Sequence, residues 1–349
     1  MTKRLTFAVP GDLATPTGGY AYDRRVVVEL RKQGWHVDVL NIGDSFPRPS
    51  ASELAKARSI LTQTPTEVPL VIDGLAFGVM DECANSLAQS HALVALVHHP
   101  LALETGLAPK DAAILAASER VALAQVRHTI TTSAPTADIL TSDYDVAPDK
   151  ITVAPPGNDP MPPAIPSTDG ICRLLTVGSI VPRKGYDVLI EAMAQIAGLP
   201  WRLTIIGDPT RDLKFTSALK EAVKRAGLSE KVSLAGSVSD EALATAYGYS
   251  DAFVTASHFE GYGMAVTTAI ACGLPIVATS GGALAQTVGG AGLLVAPNDA
   301  TALANALRSV IADAMVRDRL RANSLEAGKL LPTWSETATC FATVIESVR

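Results

Sequence analysis

The sequence predicts an α/β protein built from two doubly wound parallel sheets, and three observations carry that expectation. Short β-branched apolar runs alternate with segments whose apolar residues recur every three or four positions. A proline cluster at 155–168 interrupts the alternation, and the strand–helix pattern restarts after it. The chain has 349 residues, the length of about two domains at roughly 150 residues each.

The elements follow in order. Strands are expected at 5–9, 36–40, 70–72, 93–97 and 129–131, then at 173–177, 203–206, 252–255 and 275–278. Most are continuous apolar runs, as in parallel strands buried on both faces. Helices are expected at 20–33, 215–226 and 300–327, where apolar residues keep helical spacing. Pro155, Pro156, Pro160, Pro162, Pro163 and Pro166 exclude helix and sheet from the segment they occupy. That segment divides the chain into a domain at 1–160 and a domain at 161–332, with a cleft expected between them. Residues 334–348, after Pro332, form a last amphipathic helix in a segment at 333–349.

Composition excludes several classes. Hydrophobic residues make up 48% and charged residues 18% of the chain, enough apolar surface for a large core, so disorder is excluded as the main state. The formal net charge of −6 gives no global attraction to nucleic acid or anionic lipid. Cys83, Cys172, Cys272 and Cys340 are scattered and form no CxxC, so they are read as small buried apolar residues, not a disulfide or zinc framework. The first ten residues are too short in apolar length for a signal-peptide core, and no run approaches 18 apolar residues. The expected location is the cytoplasm, with at most peripheral contact at the inner face of the membrane.

Ligands of doubly wound sheets bind beyond the carboxyl ends of the strands, so residues just after each strand carry the functional argument. After the first strand, Gly18-Gly19 opens a helix, where backbone N–H groups can approach an anion; a plain turn is the alternative. After the 93–97 strand come His98-His99-Pro100. Neighbours on a strand face opposite ways, so the pair does not share one metal, and no HExxH or His/Asp cluster is seen to accompany it. One of them serves a ligand or both are structural. After the 173–177 strand, Gly178-Ser179 leads to Arg183-Lys184-Gly185, two cations suited to phosphate, or else two solvated charges. After the 252–255 strand, Ser257-His258-Phe259-Glu260-Gly261-Tyr262-Gly263-Met264 places a carboxylate before a helix. There it either accepts hydrogen bonds from ligand hydroxyls or caps the helix. Ala271 to Thr279 and then Gly281-Gly282 add a second glycine-rich turn. No GxSxG, no credible Cys–His pair and no dinucleotide fingerprint is present.

These motifs resemble those of retaining GT-B-fold glycosyltransferases, in particular glycosyltransferase family four, the group 1 glycosyltransferases. The resemblance rests on Gly18-Gly19, on Gly178 to Gly185 with Lys184, on Ser257 to Gly263 with Glu260, and on Ala271 to Thr279. It implies two Rossmann-like domains facing each other across a cleft, the first binding acceptor and the second a nucleotide diphosphate sugar. Arg183 and Lys184 would neutralise the diphosphate, Glu260 would hold donor-sugar hydroxyls, and His98, or His99 in the other register, would face the donor sugar. Gly18, Gly19, Ser179, Gly261, Tyr262, Gly263, Met264 and Thr268 would line the donor site. The last helix would cross back to the first domain. No metal and no further cofactor is implied. Two departures stand out: the family's second glutamate is Thr268 here, and its Asn-Gly-x-Asp is Pro156-Gly157-Asn158-Asp159.

The leading expectation is a metal-independent hexosyltransferase-type enzyme of polysaccharide biosynthesis or a related route. It would move sugar from a UDP- or GDP-sugar to a glycan, lipid-linked or small-molecule hydroxyl. Thr268 motivates the alternative, a nucleotide-sugar-binding or partner subunit with weak activity. A sugar-nucleotide epimerase lacks matching acidic residues, and a dehydrogenase lacks its fingerprint.

Overall fold

The computed structural model describes residues 3–349. It divides into two compact units, the segment up to Gly157 with Pro332–Arg349, and Asn158–Leu331. Among the described residues, twelve strands form two parallel sheets. The first contains β1 (Arg4–Val9), β2 (His36–Asn41), β3 (Leu70–Asp73), β4 (Leu93–Val97), β5 (His128–Thr131) and β6 (Ile151–Val153). Its order is β2-β1-β3-β4-β5-β6. The second contains β7 (Cys172–Val177), β8 (Trp201–Ile206), β9 (Val232–Gly236), β10 (Ala252–Thr255), β11 (Ile276–Thr279) and β12 (Gly292–Val295), in the order β12-β11-β10-β7-β8-β9.

Every recorded strand pair is parallel, and helices join successive strands, as the alternating pattern requires. Central strands are buried throughout and apolar except at their carboxyl ends: all five residues of β4 and all four of β3, β10 and β11 are buried, with Asp73, Thr255 and Thr279 closing the last three. The three strands that the sequence pattern does not reveal, β6, β9 and β12, all lie at sheet edges. An edge strand has one neighbour and a wetter face, so it lacks the continuous apolar run that marks the others. The helix expected at 300–327 is two helices, Ala300–Ala312 and Ala314–Gly328. Asp313 breaks it, because its carboxylate caps the second helix by accepting from the N–H groups of Met315 and Val316.

Each sheet reverses its direction of winding once. In the first the reversal lies between β1 and β3, and in the second between β7 and β10. Loops leaving adjacent strands at such a point run in opposite directions and open a crevice. In the first unit the helix Trp334–Ser347 packs on the helix Gly18–Lys32, with the Tyr22 ring 5.9 Å from Trp334 and 6.1 Å from Phe341. Cys83, Cys172 and Cys272 are buried and Cys340 is half-buried, and all four are free thiols.

Candidate functional site

At the reversal of the second sheet, three charged side chains meet. The loop after β7 makes a tight 3-10 turn, Pro182–Lys184, that projects Arg183 and Lys184. Gly185 then adopts φ +62° with its α-carbon against the backbone of Ala256; an added Cβ would lie 2.1 Å from the Ala256 carbonyl oxygen. Only glycine fits there, and it locks this loop to the one after β10. The Arg183 carbonyl also accepts from the N–H of His258 at 2.8 Å.

Glu260 receives both cations. Lys184 Nζ lies 2.6 Å from Oε1 and Arg183 Nη1 3.2 Å from Oε2, while Arg183 also donates to the Phe259 carbonyl at 2.7 Å. The buried Ser257 hydroxyl donates to the same carboxylate at 2.7 Å. Burial alone would raise the Glu260 carboxyl, but Lys184, then Arg183 and the hydrogen bonds, hold it at about 2. A carboxylate so held is a poor proton acceptor. Two cations set against this one carboxylate, in side chains only 11–17% exposed, offer the kind of donors that pair with a phosphate group.

The other residues singled out from the sequence lie around this cluster or apart from it. Gly178 lies under Lys184, since a Cβ there would meet Lys184 Cε at 2.8 Å. Ser179 follows it, its carbonyl accepting from Val181 N–H. Gly261, Tyr262 and Gly263 lead into the helix Met264–Ala271, with Gly263 at φ +100° as its cap. The Tyr262 carbonyl accepts from the Thr287 hydroxyl at 2.6 Å. The Thr268 hydroxyl donates to the Met264 carbonyl at 3.0 Å, so towards a ligand it offers lone pairs and no proton.

At the reversal of the first sheet the structure corrects the sequence. A His/Asp cluster does accompany the histidine pair. His98 Nε2 lies 3.2 Å from Asp23 Oδ1 and 3.3 Å from Asp73 Oδ2. Asp23 is fully buried and Asp73 3% exposed. Gly18 and Gly19 open the helix Gly18–Lys32, capped by the Thr17 hydroxyl, and a Cβ on Gly19 would lie 3.5 Å from His98 Cδ2. The Tyr22 ring stands edge-on to the imidazole at 5.3 Å. His99 takes a separate partner, Glu104, at 3.6 Å. Asp23 and Asp73 are missed by sequence motifs, although each leaves a trace: Asp23 falls on a helix stripe with Val26, Val27 and Leu30, and Asp73 ends an apolar strand.

Two parallel six-stranded sheets with these loops define the GT-B class of glycosyltransferase folds. Sucrose-phosphate synthase from Thermosynechococcus elongatus superposes with TM-score 0.83 at 22% identity, covering 99% of each chain. Anabaena HepE in complex with UDP and glucose gives TM-score 0.77 at 18% identity, covering 99% of this chain and 100% of that one. The profile of the family described as glycosyl transferases group 1 matches residues 164–327, so that region resembles the group 1 glycosyltransferases. Among curated relatives, D-inositol 3-phosphate glycosyltransferase of Stackebrandtia nassauensis is 32% identical over 60% of this chain and 51% of its own length. Mannosylfructose-phosphate synthase of Agrobacterium fabrum is 29% identical over 60% of this chain and 50% of its own. The aligned region spans about half the length of these relatives.

Proposed function

We propose that the chain transfers a sugar from a UDP- or GDP-sugar to an acceptor hydroxyl with retention of configuration. The observation that carries this reading is the meeting of Arg183 and Lys184 on Glu260 at the reversal of the second sheet. The donor's diphosphate is bound there and its departing charge is stabilised by the two cations. In the reaction the bond from the anomeric carbon to the diphosphate oxygen breaks and a bond to the acceptor oxygen forms. Glu260, held ionised by three donors, does not take the acceptor's proton, so the proton leaves on the departing diphosphate. Glu260 instead accepts from hydroxyls of the transferred sugar. The family resemblance assigns His98 to a sugar hydroxyl, and Ser179 and the segment 261–264 line the nucleotide. The chain's own side chains supply this chemistry, and no metal is assigned a role.

The acceptor is a glycan, a lipid-linked sugar or a small molecule. The names of two curated relatives and one structural relative each contain a phosphorylated inositol or sugar, which supports testing small phosphorylated polyols first. Among the described residues no helix is long and apolar enough to cross a membrane, and membrane contact is proposed as peripheral at most.

Calorimetry with UDP, GDP and their sugars, followed by transfer assays, tests the reading. Lys184→Ala or Arg183→Ala should lower transfer about 100- to 1,000-fold with the circular dichroism unchanged. Wild-type transfer by both variants removes the phosphate assignment. A second reading, a nucleotide-sugar-binding subunit with weak activity, is favoured by Thr268, whose hydroxyl hydrogen is already committed. Tight binding without turnover on any acceptor, and activity gained by Thr268→Glu, would select it.

A further inference from the structure

We infer that Asp23 and Asp73 are positioning residues that hold His98 as an imidazolium. Its Nε2–H is shared between the two carboxylates, and its Nδ1–H is presented as a donor. The inference deepens the proposed function by fixing what His98 contributes: a proton donor and a positive charge to an oxygen of the substrate, and not a general base. It depends on that reading only for the identity of the oxygen.

The geometry supports it in three steps. First, one nitrogen of the ring meets both carboxylates, at 3.2 and 3.3 Å, so Nε2 carries a proton in either charge state. Second, the two carboxylates come from separate elements, the helix Gly18–Lys32 and the end of β3, and both are buried. A buried carboxylate needs a counter-charge or a proton, and Asp23 Oδ2 has no hydrogen-bond partner, so the imidazolium is the compensating charge. Third, among the described residues no hydrogen bond is recorded to Nδ1, and the side chain is 21% exposed. The second proton therefore sits on the ring edge turned away from the carboxylates.

The groups facing the ring are few. Asp23 and Tyr22 face it from the helix and Asp73 from β3, while Thr132, beyond β5, donates its hydroxyl to the His98 carbonyl. The Tyr22 hydroxyl is occupied with the Ala154 carbonyl at 2.7 Å. No recorded cation opposes the ring's charge. Burial works against that charge, but Asp23 and then Asp73 outweigh it and push His98 up to about 10.

The test is the protonation state of His98 in the full-length protein, read from the two ring 15N shifts and assigned by their loss in His98→Gln. The expected result is an imidazolium throughout pH 6–8.5 in the wild type. In Asp23→Asn/Asp73→Asn, titration should return to near 6.5, the ordinary histidine value. A wild-type His98 that is neutral at pH 7, or that titrates near 6.5, overturns the inference, and this result does not require the double variant to fold. Displacement of the ring proton by stoichiometric Zn2+ or Mn2+, after EDTA treatment, overturns it as well, in favour of a bound cation. In transfer assays the double variant should lose kcat/KM as pH rises through about 6.5, a loss that the wild type does not show. Absence of transfer with every donor would sink the glycosyltransferase reading and leave the titration result standing, so the two failures are distinguishable.

Discussion

The two sheets place opposite charge patterns at equivalent topological positions. Where the first sheet reverses, one imidazole stands between two carboxylates; where the second reverses, one carboxylate stands between two cations. The difference lies in which charge remains for a ligand. Around Glu260 two cations meet one carboxylate and keep 15–17% exposure, the arrangement on which the proposed phosphate contact rests. Around His98 the carboxylates are sealed inside, and only the imidazole reaches outward. One arrangement presents two cations and the other presents a single ring.

The largest expected effect separates the two clusters by how firmly each carboxylate is ionised. Glu260→Gln strips the counter-charge from two mostly buried cations, and breaking such a pair costs about 3 kcal/mol. Transfer should be lost as well. Asp23→Asn should cost less, about 1 kcal/mol. Burial opposes ionisation of the Asp23 carboxyl, and Asp73 still pairs with the imidazolium when Asp23 is replaced. Urea midpoints of the two variants check the ranking. Equal losses would mean that the clusters do not differ as their burial and charge imply.

The sequence reveals these clusters unequally, and the reason is chain distance. Arg183 and Lys184 sit side by side in one loop, and Glu260 lies in a short run with its glycines, so each half of that cluster is visible as a local motif. Asp23, Asp73 and His98 are separated by 50 and 25 positions, and no local pattern joins them. Only the parallel order that sets β3 between β1 and β4 brings the three elements together. Strand legibility follows the same logic: buried central strands such as β4 and β10 announce themselves as apolar runs, whereas the edge strands β6, β9 and β12 do not. Asp313 is a separate case, since one capping carboxylate overrode an apolar spacing that continued across it.

A smaller and opposite pair of effects is expected from pH. The Glu260 carboxyl is depressed to about 2 from an ordinary 4.5, so the stability it contributes is complete above pH 4.5 and is lost as pH falls through 2. The His98 imidazole is raised to about 10 from 6.5, so its contribution is complete below pH 6.5 and is lost as pH rises through 10. Differences in urea midpoint between wild type and variant should therefore close at acid pH for Glu260→Gln and at alkaline pH for His98→Gln. Parallel curves would show that the two clusters do not carry opposite charges.

The smallest expected effect concerns Thr268, the one position in the second cluster's surroundings where a carboxylate would be usual for the family. Its hydroxyl bonds the Met264 carbonyl one helical turn back, an interaction that adds little to helix stability. Thr268→Val removes the hydroxyl while keeping the shape, so stability should change by no more than about 0.5 kcal/mol. Any change beyond that must come from a ligand. If a lone pair of the hydroxyl accepts from a ribose hydroxyl, the loss of one hydrogen bond, about 1 kcal/mol, should weaken nucleotide binding about fivefold, and Thr268→Ser should restore it. Unchanged affinity would place nucleotide recognition elsewhere. The ionic cluster of Arg183, Lys184 and Glu260 would then remain as the part of this loop system assigned to the donor, through its diphosphate and sugar and not its ribose.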